Sequence, residues 1–199
     1  MSLVNHLVVF ANPPRIGRAK TRLARDIGAV GAWSFHRLML ARAIRAFGRD
    51  ARWRCWLAVA PAPGFAGVGP LDGIGLIAQG EGDLGRRMAR VARALPPGPV
   101  VIVGADAPAV TPRHIAAAFE ALGRADAVFG PAADGGYWLG GLRRRPAFRD
   151  PFRNVRWSSE HALADTLANL GGRRWVSLET LEDVDDGAAY RRWRRRFRP

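Results

Sequence analysis

With 199 residues, 48% of them hydrophobic, the chain can bury a substantial core as one domain, which excludes a disordered tail or a cross-link-dependent mini-protein. No apolar run approaches the roughly 18 residues needed to cross a bilayer, and the first ten residues lack the basic start and cleavage site of a signal peptide, so a cytoplasmic location without a membrane span is expected. The formal charge of +14 suggests a polyanion binder, but Lys20 is the only lysine among 31 basic residues, and arginine spread over every segment reads as compositional bias.

Residues 7–11 form a short, continuously apolar run rich in β-branched side chains, as in a strand buried on both faces. A polar loop leads to a helix over residues 32–47, with Leu40, Ala43, Ile44 and Phe47 at helical spacing. Residues 53–60 alternate as a strand that places Cys55 on one face with Trp53, Leu57 and Val59. A Pro/Gly-rich connection runs through Gly75, and residues 76–79 form a brief strand. Leu84, Met88, Val91, Ala92 and Leu95 then mark one helix face, ended by Pro96-Pro97-Gly98. Residues 100–103 are the clearest central strand, and Thr111-Pro112 begins a helix that uses Ile115, Ala118, Phe119 and Leu122. Strands over residues 127–129 and 137–142, a helix over 158–170 and a last strand over 175–178 complete the alternation. In the tail, Trp193 and Phe197 stand four apart among arginines, as in an amphipathic helix whose aromatics dock. Such alternation with short links predicts a mostly parallel sheet covered on both faces.

Ligands of such sheets bind outside the carboxyl ends of the strands, so the loops there are the places to look. After the first strand, Arg15, Gly17, Lys20 and Arg22 precede or open a helix. A glycine that lets amides approach, a helix start and several cations suit a diphosphate. The spacing matches neither the P-loop nor the three-glycine dinucleotide fingerprint, and a solvated basic loop is the competing interpretation. A lone lysine in a chain that otherwise uses arginine argues for a specific role. Asp106 follows the central strand, where a carboxylate can hold a hard cation. Glu182-Asp183-Val184-Asp185-Asp186 is a second acidic group, although Asp186 can simply cap the final helix. Gly82, Asp83 and Gly85 precede the Leu84 helix and suit a base or ribose, with Asp83 also placed as its N-cap. The loop carrying Asp134, Gly135, Gly136 and Tyr137 supplies one carboxylate for an acceptor. The four histidines show no metal-ligand spacing.

Taken together and in order, these segments resemble the GT-A-like family of bacterial transferases of the DUF2064 type, related to phospholactate guanylyltransferase and to nucleotide-diphospho-sugar transferases. The matching positions are Lys20-Thr21-Arg22-Leu23, Gly82-Asp83-Leu84-Gly85 with Arg87-Met88, Gly104-Ala105-Asp106-Ala107-Pro108, Gly130-Pro131 with Asp134-Gly135-Gly136-Tyr137, Trp157-Ser158, and Asp183-Val184-Asp185. The resemblance implies a single GT-A, Rossmann-like three-layer sandwich over residues 1–199 with a mostly parallel central sheet. It also implies a diphosphate site at Arg15, Lys20 and Arg22, a magnesium or manganese ligand at Asp106, and a second at Asp185 or Asp183. Two departures stand out. Asp106 is flanked by Ala105 and Ala107 rather than by a paired carboxylate, and Asp186-Gly187 follows Asp185 where related enzymes continue with threonine-proline-glutamate.

The expected activity is glycosyl transfer from a nucleotide sugar to a small-molecule acceptor, with Lys20, Asp106 and Asp134 catalytic. Gly82, Asp83, Gly85, Gly135, Gly136, Tyr137, Trp157 and Ser158 are expected to line the substrate. The alternatives are guanylyltransferase-like nucleotidyl transfer and a non-catalytic arginine-rich binder of RNA or another polyanion. Nucleic acid is the less favoured partner, because charge runs are usually solvated faces, and a homodimer is left open.

Overall fold

A computed structural model describes residues 3–17, 20–60, 71 and 73–197. Most of the Pro/Gly-rich connection, and Arg18, Ala19 and Arg198 of the two basic segments, lie outside them. The elements are β1 (His6–Ala11), α1 (Thr21–Phe47), β2 (Arg54–Val59), β3 (Gly75–Ala78), α2 (Leu84–Ala94), β4 (Val100–Gly104), α3 (Pro112–Leu122), β5 (Ala127–Pro131), β6 (Tyr137–Leu142), α4 (Ala162–Ala168), β7 (Trp175–Ser177) and α5 (Gly187–Phe197). The seven strands form one sheet in the order β3-β2-β1-β4-β6-β5-β7, parallel except for β6.

The alternation of β1 decides the layers. Leu7, Val9 and Ala11 face a cluster with Leu40, Ile44 and Phe47 of α1 and Ile115, Ala118 and Phe119 of α3. Val8 faces the opposite cluster, with Met88, Val91 and Ala92 of α2 and half-buried Leu163 and Leu167 of α4. The expected three-layer sandwich is therefore formed. Cys55 is buried in the first layer, and burial pushes its thiol up to about 12, so it packs as an apolar side chain.

Two helix boundaries differ from the sequence reading. α1 starts at Thr21 rather than near residue 32, and Gly28 kinks it with φ 79° and ψ 156°. Leu23 before the kink and Phe35 and Met39 beyond it pack with Val184 and with Ala189 of α5 instead of the sheet, and the sheet-facing side chains Leu40, Ile44 and Phe47 come only from the last turns of α1. α4 is shorter than expected, because Ser158 adopts φ 60° and residues 158–161 form turns before the helix starts. Trp193 docks on Phe35 at 5.0 Å between ring centres, and the side chain of Phe197 lies outside the described residues. Among the described residues, no helix is long and apolar enough to cross a membrane.

The carboxyl end of α2 is capped from a distance. Arg144 donates to the carbonyls of Ala92, Leu95, Pro96 and Gly98, satisfying acceptors that a helix end leaves open. Arg144→Ser is expected to lower the free energy of unfolding by about 2–4 kcal/mol, measured by urea denaturation with unchanged m-value. A loss under about 0.5 kcal/mol contradicts this assignment.

Candidate active site

β1 and β4 are adjacent and parallel, which brings the loops at their carboxyl ends together, and the amide of Ala105 donates to the carbonyl of Phe10 at 3.1 Å. The β1 loop is pinned to α1. Trp33 Nε1 donates to Pro14 O at 2.9 Å, and a ring nitrogen of His36 lies 2.9 Å from Asn12 O. Lys20 then occupies the N-cap position of α1 in the left-handed region, at φ 51° and ψ 52°. That conformation costs a non-glycine residue energy and is held here by ion pairs.

The Lys20 ammonium lies 2.8 Å from an Asp106 carboxylate oxygen and 2.5 Å from one of Asp185. Its side chain is only 7% exposed, whereas the two carboxylates are 41% and 48% exposed, so the acidic groups open outward from a buried cation. Val184 explains the delivery of Asp185. It is buried in the α1–α5 cluster, while its neighbours Asp183 and Asp185 lie beside Lys20, Asp185 in contact with it and Asp183 within reach of its charge. Asp26 Oδ2 accepts from Gly187 N at 2.7 Å and Asp186 Oδ1 from Ala189 N at 2.8 Å, which fixes the start of α5. Asp186 is thus the helix cap that its position suggested.

Burial disfavours charge on both Lys20 and Asp106, but their mutual attraction outweighs it, raising the lysine and lowering the carboxyl from their ordinary values. Asp183 goes the other way. Burial, reinforced by the charges of Asp106, Asp185 and Asp134 against that of Lys20, pushes it up to about 7, and its Oδ1 is buried without a partner among the described residues. A carboxyl raised in the folded state binds a proton there that the unfolded chain has released, so stability falls as pH rises from about 4 to about 7. Without divalent cation, Asp183→Asn is expected to raise stability at pH 8 by about 2–4 kcal/mol, with little change at pH 4. Thermal melts at both pH values check this; equal shifts at the two exclude the titration.

The remaining predicted positions divide. Asp134 is exposed, its Oδ1 accepts from Gly136 N at 3.0 Å, and its charge reaches Asp183, so the loop after β5 borders the same cluster. Arg15, Gly17 and Arg22 are exposed on the β1 loop and first turn of α1. Asp83 caps α2 by accepting from Arg86 N at 2.8 Å, and Gly82 beside it is exposed at φ 104°. Gly85, Gly135 and Tyr137 are packed rather than open. A Cβ on Gly85 would lie 3.0 Å from the Trp157 indole, one on Gly135 would meet the Glu160 backbone, and Tyr137 is 3.4 Å from Thr166 Oγ1 with its hydroxyl pKa raised by burial. Trp157 meets Tyr137 edge-on, and Ser158 is exposed.

Gln79 was not anticipated. Fully buried at the end of β3, it donates to Ala11 O at 3.0 Å and Ala58 O at 2.9 Å and accepts from Arg87 Nη1 at 2.9 Å. It ties the ends of β1 and β2 together and orients a cation beside them. The available signal was a lone amide between apolar Ala78 and Gly80.

A seven-stranded sheet with one antiparallel strand beside its central one is a GT-A-like, Rossmann-type fold, and the lysine–aspartate cluster lies over the carboxyl ends of its parallel strands. An inferred nucleotide-diphospho-sugar transferase from Desulfovibrio desulfuricans G20 is similar at a TM-score of 0.84 and 26% identity, over 92% of this chain and 82% of that one. Rv0371c of Mycobacterium tuberculosis H37Rv, in complex with manganese, gives 0.55 and 20% over 96% and 98% of the chains. A nucleotidyl transferase from Methanothermobacter gives 0.59 and 16% over 98% of each. The chain belongs to the bacterial family described as "Uncharacterized protein conserved in bacteria (DUF2064)", whose model matches residues 43–159. No match is found among curated proteins.

Proposed function

We propose that the protein is a cytoplasmic, divalent-metal-dependent transferase acting on a nucleotide-diphosphate substrate, with glycosyl transfer from a nucleotide sugar to a small-molecule hydroxyl as its leading reaction. The observation that carries this reading is the sharing of one buried ammonium between Asp106 and Asp185, at the open start of α1. Three clustered carboxylates, one with an orphaned buried oxygen, leave excess negative charge that suits a hard cation. Among the described residues no three acidic or histidine side chains form a ready-made cage, so Asp106 and Asp185 would hold the ion jointly with phosphate oxygens. When bound, magnesium or manganese supplies neutralisation of charge on the diphosphate. The manganese complex of Rv0371c supports that choice at the level of the fold.

Lys20 and the uncapped amides at the start of α1 bind the same phosphates, with Arg15 and Arg22 at the rim. Lys20 is placed to stabilise charge as the bond between the anomeric carbon and the diphosphate oxygen breaks. Asp134 is placed to accept the proton of the acceptor hydroxyl as its oxygen bonds to that carbon. Gly82 and Asp83 border the nucleoside end, while Gly85, Gly135, Gly136, Tyr137 and Trp157 hold the walls.

The likeness to an inferred nucleotide-diphospho-sugar transferase favours the glycosyl reading, and the nucleotidyltransferase neighbour favours attack of an acceptor phosphate on the α-phosphate of a nucleoside triphosphate. An ionised phosphate needs no base. Asp134→Asn is therefore expected to lower turnover by about 10²-fold if a hydroxyl is the nucleophile, and by less than about threefold if a phosphate is. Released nucleoside diphosphate or pyrophosphate, resolved by ion-exchange chromatography, identifies the reaction directly. Turnover independent of divalent cation with every donor overturns the proposal.

A further inference from the structure

The Arg143-Arg144-Arg145 run has no part in the site above, and the fold splits it. Arg144, at φ 58°, turns inward to cap α2, while Arg145 lines a cavity of about 680 Å³. Leu142 on the cavity wall pairs with Val100 and Ala127, the first residues of β4 and β5, so the cavity lies at the amino ends of the parallel strands. Asp106 follows the other end of β4. At about 3.3 Å per strand residue, the two places are roughly 20 Å apart.

Six arginines line the cavity, Arg93, Arg144, Arg145, Arg149, Arg153 and Arg173, against the two carboxylates Asp126 and Asp150. Two of them are committed. Arg93 pairs with Asp150 at 3.0 Å and lies over the ring of Phe148, and Arg144 is spent on the α2 carbonyls. The guanidinium groups of the other four make no ion pair or hydrogen bond with the described residues, which leaves four like charges around one concavity beside Asp126 alone. Such charges repel unless a multivalent anion is shared between them, and planar guanidinium forks match phosphate oxygens in pairs. The volume falls in the range of small-ligand pockets, and concavity favours a small anion over an extended nucleic acid. Asp126 is placed to accept a hydroxyl from the uncharged part of a ligand.

We propose that this cavity is a second binding site, separate from the transferase site, for a small molecule bearing a diphosphate group. Two sources share that chemistry, free pyrophosphate and a nucleoside diphosphate. Titration calorimetry in EDTA, with inorganic pyrophosphate in one arm and ADP or GDP in the other, tests the proposal without the divalent cation on which the transferase site depends. Wild type is expected to bind one equivalent, and Asp106→Asn to bind alike. The double variant Arg149→Ser, Arg153→Ser should bind at least about tenfold more weakly. The charge-matched control Arg191→Ser, Arg195→Ser, on the exposed face of α5, should stay within about twofold of wild type. Preference for either arm identifies the source and supports the site. Unchanged affinity in the Arg149/Arg153 variant, an equal loss in the α5 control, or binding of RNA with neither diphosphate bound overturns it.

Discussion

Asp106→Asn is expected to lower kcat/KM by about 10²–10³-fold and to abolish magnesium-dependent nucleotide binding, with the fold retained. The amide keeps the shape of the side chain and removes the charge that holds Lys20 at 2.8 Å and that would hold the cation. The side chain is 41% exposed at the end of a strand, so little packing is lost. Calorimetry with magnesium and a panel of nucleotides and nucleotide sugars, alongside circular dichroism, separates a binding defect from misfolding. A folded variant within threefold of wild type in both binding and turnover removes Asp106 from the mechanism.

Lys20→Met carries the second large effect, a fall in turnover of about 10²–10³-fold, because no other described cation pairs with both Asp106 and Asp185. The stability cost is smaller. Both partners are nearly half exposed, so solvent screening limits the loss to about 1–2 kcal/mol at pH 7. Its pH dependence has a definite sign. Asp106 is lowered in the folded state, so the pair stabilises above the ordinary carboxylate range and loses that contribution as pH falls through the depressed value. Wild type and Lys20→Met should therefore converge in stability in acid, below the ordinary carboxylate range, and diverge at neutral pH. Magnesium should stabilise the variant at least as much as wild type, since it replaces a missing positive charge. Equal stability at pH 7, measured by urea denaturation in EDTA, shows that the ion pairs contribute nothing to folding.

The two variants differ in what they leave behind. Asp106→Asn leaves a buried ammonium with one carboxylate, whereas Lys20→Met leaves three acidic groups without their cation. Raising magnesium is therefore a rescue experiment for the second and has no target in the first.

Strand and helix identities were legible wherever the residues that decide them are neighbours in sequence. The apolar run of β1, the alternation through Cys55 and Leu57, and the Leu84–Met88–Val91 repeat report local burial, and the sheet orders itself around them. The kink inside α1 and the late start of α4 at Ala162 were not legible, because φ/ψ values at Gly28 and Ser158, not apolar spacing, set them. The antiparallel direction of β6 is likewise absent from its composition.

The residues suited to a diphosphate and a hard cation could be named from the chain alone, because residue type and position after a strand are local properties: one lysine among arginines, an aspartate after the central strand, a late acidic pair. Which of them meet was a matter of three dimensions. Lys20 and Asp185 are 165 positions apart and touch because Val184 is buried against α1, a contact that only chain closure creates. The same closure spends Arg144 on a helix end, buries Gln79 as a clamp and raises Asp183 to near neutrality. Charge, hydrogen bonding and burial act through space, so side-chain chemistry was written in the sequence while its pairing and protonation were settled by the fold.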